Sequence, residues 1–228
     1  MIMLGNAISK DSILLALFAI VSTGLCVATY EMTKGKIELN RIAALEKALY
    51  EVVPKTSHSN NMLSATTTIA AGSLGNKKDF TAYLARNSEG PVAAVFPVTA
   101  PEGYGGPINL LIGVYADGTI AGVRVIPPHK ETPGLGDKIE LKKSEWILGF
   151  TGTSLNNPKE SGWGVKKDGG DFDSFTGATI TPRAVVKAVQ NTLQYFEAEK
   201  SNVFNDTAMI NDNTFDASNR TGEVNPND

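Results

Sequence analysis

Between Asp11 and Glu31 the chain runs for nineteen residues, Ser12 to Tyr30, without a single charge. As a helix rising 1.5 Å per residue, that run reaches about 28 Å, close to the hydrocarbon thickness of a bilayer. Two readings compete, a retained anchor and a cleaved signal. A secretory signal has a shorter apolar region and ends in small residues around its cleavage site. Here the exit reads Gly24-Leu25-Cys26-Val27-Ala28-Thr29-Tyr30, and Leu25 stands where cleavage before a lipidated Cys26 would want a small residue. Residues 1–31 are therefore read as an N-terminal segment and transmembrane helix that stay in the mature protein. Lys10 precedes the span, while Lys34, Lys36 and Arg41 follow it. Counted alone, these charges would keep the following domain in the cytoplasm.

The other end of the chain is also set apart. Residues 201–228 contain seven Asn and four Asp and carry a net charge of −4, against −3 for all 228 residues. Residues 1–200 thus sum to +1, and the acidity belongs to the tail. A polar segment of this kind buries too little apolar surface to order itself, so 201–228 is expected to be a disordered tail. A near-neutral body offers no field to hold a phosphate backbone, which argues against nucleic acid as a partner.

Cysteine and histidine exclude further classes. The one Cys, Cys26, lies inside the apolar run, so no internal disulfide and no Cys-ligated cluster can form. His58 and His129 are far apart and no C-x-x-C-H is present, so no haem attachment or metal site is expected. Redox chemistry in this chain would need an organic cofactor. No G-x-S-x-G elbow, phosphate-binding loop or dinucleotide fingerprint occurs.

Beyond the span, Ile37, Ile42, Leu45, Leu49 and Val52 recur at near-helical spacing until Pro54 stops them, predicting a juxtamembrane helix over 32–54. Residues 55–78 read as polar loop with one short strand at 67–71. Strands are then expected at 80–86, 92–99, 108–116 and 120–126, joined by turns such as Asn87-Ser88-Glu89-Gly90 and Asp117-Gly118. Short strands with tight connections predict an antiparallel meander. The fold class is α+β, with one N-terminal transmembrane helix followed by a single domain over 55–200, a largely antiparallel sheet and flanking helices.

The last third of that domain carries Asp173-Ser174-Phe175-Thr176-Gly177-Ala178-Thr179, followed at once by Ile180-Thr181-Pro182-Arg183. Thr181 is suited to cap a helix and Pro182 to its first position. Val186, Val189, Leu193 and Phe196 then share one face, predicting a helix of about 16 residues. Thr179 sits just before that N-terminus, where free N–H groups and the helix dipole favour a phosphate. Gly177 and Ala178 leave room for a ligand to approach the backbone. On these grounds alone the segment is either a phosphate seat or simply a capping turn.

At every specified position Asp173-x-x-Thr176-Gly177-Ala178-Thr179 resembles the flavinylation sequence, D-x-x-[ST]-G-A-[ST], of the FMN-binding domain family. In that family a flavin transferase, with FAD as donor, joins FMN through its phosphate to the last hydroxyl, which corresponds to Thr179. The loop Gly103-Tyr104-Gly105-Gly106, the segment His129-Lys130-Glu131-Thr132-Pro133-Gly134-Leu135-Gly136 and the stretch Lys166–Phe172 extend the likeness over residues 10–198. Together they resemble the G subunits of Rnf electron-transport complexes.

The resemblance implies a membrane-anchored electron relay with covalent FMN, not catalytic alone. Its complex would couple electron transfer between ferredoxin and NAD to H⁺ or Na⁺ movement. The partners implied are the other membrane subunits, a flavin transferase during maturation and the lipid bilayer. It also implies a domain on the periplasmic side of a bacterial inner membrane, replacing the orientation that the charge count suggests.

By the same resemblance, Thr179 supplies the ester oxygen, and Gly177 and Ala178 keep the site open. Asp173 is either read by the transferase or is a turn carboxylate, and Thr176 bonds either the phosphate or its own turn. Glu131, Thr132, Pro133, Gly134, Leu135 and Gly136 would lie beside the flavin ring, with Leu135 an apolar wall. Lys166, with Lys167, would favour the phosphate or a reduced flavin, or is solvated surface. His129 reads as a strand-end polar residue, and Trp146 and Trp163 as packing residues. The alternatives are the C subunit of the Na⁺-translocating NADH:quinone reductase, which carries the same tether, a membrane-anchored flavin sensor, and a solute-binding or structural envelope protein.

Overall fold

The computed structural model describes residues 2–205 and 208–209. The disorder expected for the tail thus falls largely outside the described residues. The chain divides into two compact units, residues 1–47 and 48–228.

Helix α1 (Ile2–Val52) is continuous, whereas the sequence suggests a span followed by a separate juxtamembrane helix. No proline interrupts it before Pro54, and a single Gly35 at the expected joint costs only about 1 kcal/mol of helix propensity. In the first unit, Ile13, Leu14, Leu15 and Phe18 are each more than two-thirds exposed. The portion from Ser12 onward is long and apolar enough to cross a membrane. An apolar surface of that extent is stable in lipid rather than in water.

The second unit is built on a six-stranded sheet, antiparallel throughout. Its strands are β1 (Ala65–Ile69), β2 (Phe80–Asn87), β3 (Gly90–Ala100), β4 (Ile108–Tyr115), β5 (Ile120–Ile126) and β6 (Ala208–Met209), in the order β5-β4-β3-β2-β1-β6. The expected meander is present, and β1 begins two residues before the short strand read from the sequence. The β4–β5 hairpin closes on Asp117, which accepts hydrogen bonds from the Thr119 N–H at 2.9 Å and from its hydroxyl at 2.7 Å. Gly118 supplies the positive φ of +88° that the turn requires.

Both faces of the central strands are covered. On one face α2 (Ile180–Asn205) meets β3, where the Phe96 ring lies edge-on to Tyr195 and Phe196 with centroids 6.1 and 6.2 Å apart. Elsewhere on the sheet, Gly113 and Gly122 pair across β4 and β5 and leave a notch for Val52. A Cβ on Gly113 would stand 2.5 Å from Val52 Cγ1, and one on Gly122 would stand 2.9 Å from the Val52 carbonyl oxygen. Leu49, Val52 and Val53 are fully buried as a result.

α2 extends well past the 16 residues expected, and past the domain boundary drawn at residue 200. Val203 and Phe204 are buried, and the Phe204 ring lies edge-on to Phe196 at 5.8 Å. The Phe204 carbonyl accepts a hydrogen bond from Arg86 Nη2 at 2.6 Å. The polar run Glu197–Asn202 conceals this continuation in the sequence, because Val203 and Phe204 return to the buried face only after two further turns. Phe204→Ala is accordingly expected to cost about 3 kcal/mol, read as a lower denaturation midpoint at unchanged slope.

Candidate functional site

The segment Phe175-Thr176-Gly177-Ala178 is a tight turn, closed by the Ala178 N–H donating to the Phe175 carbonyl at 3.0 Å. Gly177 occupies its third position with φ +82°, a conformation that L side chains adopt only with strain. Thr176, at the second position, is exposed. The Thr179 carbonyl accepts from the Arg183 N–H at 3.3 Å, the first bond of α2, so Thr179 is itself the N-cap residue.

This corrects the expectation of a cap at Thr181 and a first helical position at Pro182. Pro182 is instead the third helical residue, where a missing N–H is equally harmless because none of the first turn's N–H groups has a partner within the helix. Thr181 is fully buried and donates its hydroxyl to Glu131 Oε2.

Aromatic packing holds the turn in place. The Trp146 indole N–H donates to the Asp173 carbonyl at 2.8 Å. Its ring meets Phe150 and Phe175, each at 5.2 Å, and Phe150 in turn stacks on Phe172 at 4.7 Å. Trp163 packs on Phe172 at 5.3 Å. Both tryptophans are packing residues, as the sequence suggests, and Trp146 also fixes the backbone of the motif.

Two further loops close around the turn. The 103–106 loop and the 131–136 segment meet at Glu131, which is buried and whose Oε1 accepts from the Gly105 N–H at 3.0 Å. The Glu131 N–H donates to His129 Nδ1 at 3.2 Å, which leaves the ring proton on Nε2, where it is donated to Glu140. His129 therefore orients the segment, a role its reading as a strand-end polar residue does not include. The Thr132 carbonyl receives N–H bonds from Leu135 and Gly136 at 3.1 and 3.0 Å, curling Pro133-Gly134 outward.

These loops and the N-terminus of α2 enclose an open cleft of about 520 Å³. Of the residues singled out in the sequence, Glu131, Thr132, Leu135, Gly136, Lys167, Gly177, Ala178, Thr179 and Thr181 line it together. Asp173, Thr176, Pro133, Gly134 and Lys166 are exposed and are not among its lining residues. Lys166 instead pairs with Asp173 at 2.7 Å on the surface.

Sequence reasoning misses Tyr104, Ile180 and Arg183 as cleft residues. Tyr104, Leu135 and Ile180 give it an exposed apolar rim, and Lys167, Arg183 and the Glu131 carboxylate are its charged lining residues. Arg183 could have been found, since it lies four residues beyond Thr179 and so one turn along the same helix face.

Arg183 grips the Asp168 carboxylate through both Nε and Nη2, pinning the Lys166–Asp168 turn beside the cleft. These bonds hold the Asp168 carboxyl below the usual aspartate range and raise Arg183. A depressed carboxylate contributes its stability above the unfolded pKa and loses it as pH falls through the folded one. The Asp168 carboxyl ¹³C shift is therefore expected to titrate below pH 3.8, and Arg183→Gln to move that midpoint up towards it.

Residues 103–194 match the family described as FMN-binding domain, and residues 1–52 match the RnfG N-terminal region. The G subunit of the ion-translocating oxidoreductase complex from Pseudoalteromonas atlantica is 49% identical over 198 residues, covering 86% of this chain and 92% of the relative. Its Vibrio atlanticus counterpart is 47% identical over 190 residues, 83% of this chain and 90% of its own. That of Pseudomonas aeruginosa is 47% identical over 192 residues, 84% and 89% respectively. With an apolar helix fit to cross a membrane, an antiparallel domain of the FMN-binding kind and relatives of this closeness over most of its length, the chain belongs to the family of G subunits of ion-translocating oxidoreductase complexes.

Proposed function

We propose that this chain is an electron-relay subunit whose FMN is esterified through its phosphate to Thr179. Its complex would exchange electrons between ferredoxin and NAD while moving H⁺ or Na⁺, with the flavin domain on the periplasmic side of the inner membrane. The observation that carries the reading is Thr179 itself, the N-cap of α2 and a lining residue of the cleft, within a complete flavinylation sequence. The cleft also suits the cofactor: its volume falls in the range of small-molecule sites, it has cations near the helix N-terminus, and it has apolar side chains on its rim.

When bound, FMN supplies one- or two-electron chemistry that no side chain of this protein can provide. The protein's share is binding and orientation. Thr179 would hold the flavin as an ester of its Oγ1 with the FMN phosphate, which the flavin transferase would form from FAD with AMP as the leaving group. Lys167 balances the remaining phosphate charge, Arg183 stays paired with Asp168 beside it, and Gly177 keeps side-chain bulk away. Leu135, Tyr104 and Ile180 offer the isoalloxazine an apolar seat. A tether through the phosphate leaves the ring chemically unchanged and holds it at high effective concentration, which suits a compartment without free flavin.

Intact mass of the protein purified from its native membrane, with peptide mapping, tests the reading. One FMN increment on the peptide containing Thr179 is expected. An unmodified Thr179 in a flavin-replete membrane would refute it.

A further inference from the structure

We infer that Glu131 is a positioning residue of the flavin cleft, acting through Gly105 and Thr181 rather than as a ligand of the cofactor. The inference rests on the cleft being the flavin site. Both carboxylate oxygens are already engaged, Oε1 by the Gly105 N–H at 3.0 Å and Oε2 by the Thr181 hydroxyl. Glu131 and Thr181 are 5% and 0% exposed, so water does not readily replace either bond. One side chain thus joins the 103–106 loop, its own 131–136 segment and the first turn of α2, whose N-cap is Thr179.

The glycines around the carboxylate carry the same message. A Cβ on Gly136 would stand 2.8 Å from Oε2 and 3.0 Å from Thr181 Oγ1, and one on Gly103 would stand 2.3 Å from the Gly106 carbonyl oxygen and 2.8 Å from Oε1. Gly136 therefore makes room for a carboxylate, not only for a ligand, and Gly103 does so while also admitting its own loop's Gly106 carbonyl. A buried acid with its acceptors filled and its surroundings shaped to it is built to hold three loops in register.

Comparing Glu131→Ala with Glu131→Gln on the full chain in detergent tests this. Glutamine can still accept from the Gly105 N–H and can donate to the Thr181 oxygen, so it keeps both links without the charge. Hydrogen exchange at the Gly105 amide is the first readout, because it does not depend on flavin. Exchange at least about tenfold faster in Glu131→Ala, largely restored in Glu131→Gln, is the expected result. Visible circular dichroism and fluorescence anisotropy of the covalent flavin form the second readout. Both should fall in Glu131→Ala, in protein whose far-ultraviolet spectrum is native, and recover in Glu131→Gln.

If Glu131→Ala does not fold, Thr181→Val carries the same measurements, since it removes one donor and keeps the β-branched shape. Native Gly105 protection and native flavin spectra in Glu131→Ala, or in Thr181→Val when that variant stands in for it, would overturn the inference. Spectra altered equally in the alanine and glutamine variants would also overturn it, by showing that charge and not positioning matters. A wild-type protein without flavin on Thr179 would instead defeat the cofactor assignment, leaving the exchange at Gly105 to judge Glu131 as a loop clamp alone.

Discussion

Thr179→Val is expected to yield a folded protein with no covalent flavin at all. Valine preserves the β-branched shape but removes the one atom able to form the ester. The cost in stability is small, because the Thr179 carbonyl that accepts from Arg183 is kept and its hydroxyl has no partner among the described residues. Loss of attachment should be complete, seen as absence of the fluorescent band on a denaturing gel and of the FMN increment in the intact mass. Thr179→Ser keeps a hydroxyl at the same position and should retain attachment at least in part. Thr176→Val is the informative control, because it alters the neighbouring hydroxyl, exposed at the second position of the turn, and leaves the acceptor intact. Covalent FMN on Thr179→Val together with its loss from Thr176→Val would move the acceptor to the turn. Asp173→Ala should lower attachment only if the transferase reads that carboxylate. Its exposed pairing with Lys166, outside the cleft lining, leaves it accessible to such a partner.

Gly105→Ala is expected to be among the most damaging single substitutions in the domain. An added Cβ would stand 1.8 Å from the Lys130 carbonyl oxygen and 2.3 Å from its carbon. Both are backbone atoms, so no side chain can swing aside, and the 103–106 loop must lift from the 131–136 segment. That motion also breaks the Gly105–Glu131 bond. A loss of about 3 kcal/mol or more is expected, lowering the melting temperature by roughly 6–12 °C. Gly134→Ala provides the contrast. Gly134 has φ +78° but nothing within 4 Å of an added Cβ, so only the left-handed backbone penalty of about 1–2 kcal/mol applies. Equal melting temperatures for the two variants would contradict the close approach of the two loops.

Much of this is legible in the sequence because the governing forces are local. The uncharged run, the short strand segments set off by turns in β2 to β5 and the Asp117-Gly118 turn each announce themselves within a few residues. The motif around Thr179 is equally visible as a pattern. What stays hidden depends on distant partners. Thr181 looks like a cap by its neighbours, yet its hydroxyl is claimed by Glu131. Nothing in the Glu197–Asn202 run signals that Val203 and Phe204 return to the core. Nor does any local rule reveal that Gly113 and Gly122 stand opposite each other to admit Val52. Tyr104 and Ile180 join the cleft only through the way three loops converge.

That convergence has a consequence for the order of events in the life of the chain. The hairpins β2–β3, β3–β4 and β4–β5 link neighbouring segments and can close as each pair becomes available. The cleft is assembled across far longer stretches, with Gly105 and Glu131 separated by 26 positions and Glu131 and Thr181 by 50. Closing such loops costs chain entropy before any bond offsets it, so contacts of this kind form late. Among the described residues, the helix that follows Thr179 is also the last long element. A nascent protein would therefore present the 173–179 segment before the surrounding cleft is assembled, and the cleft cannot be what first orders that segment.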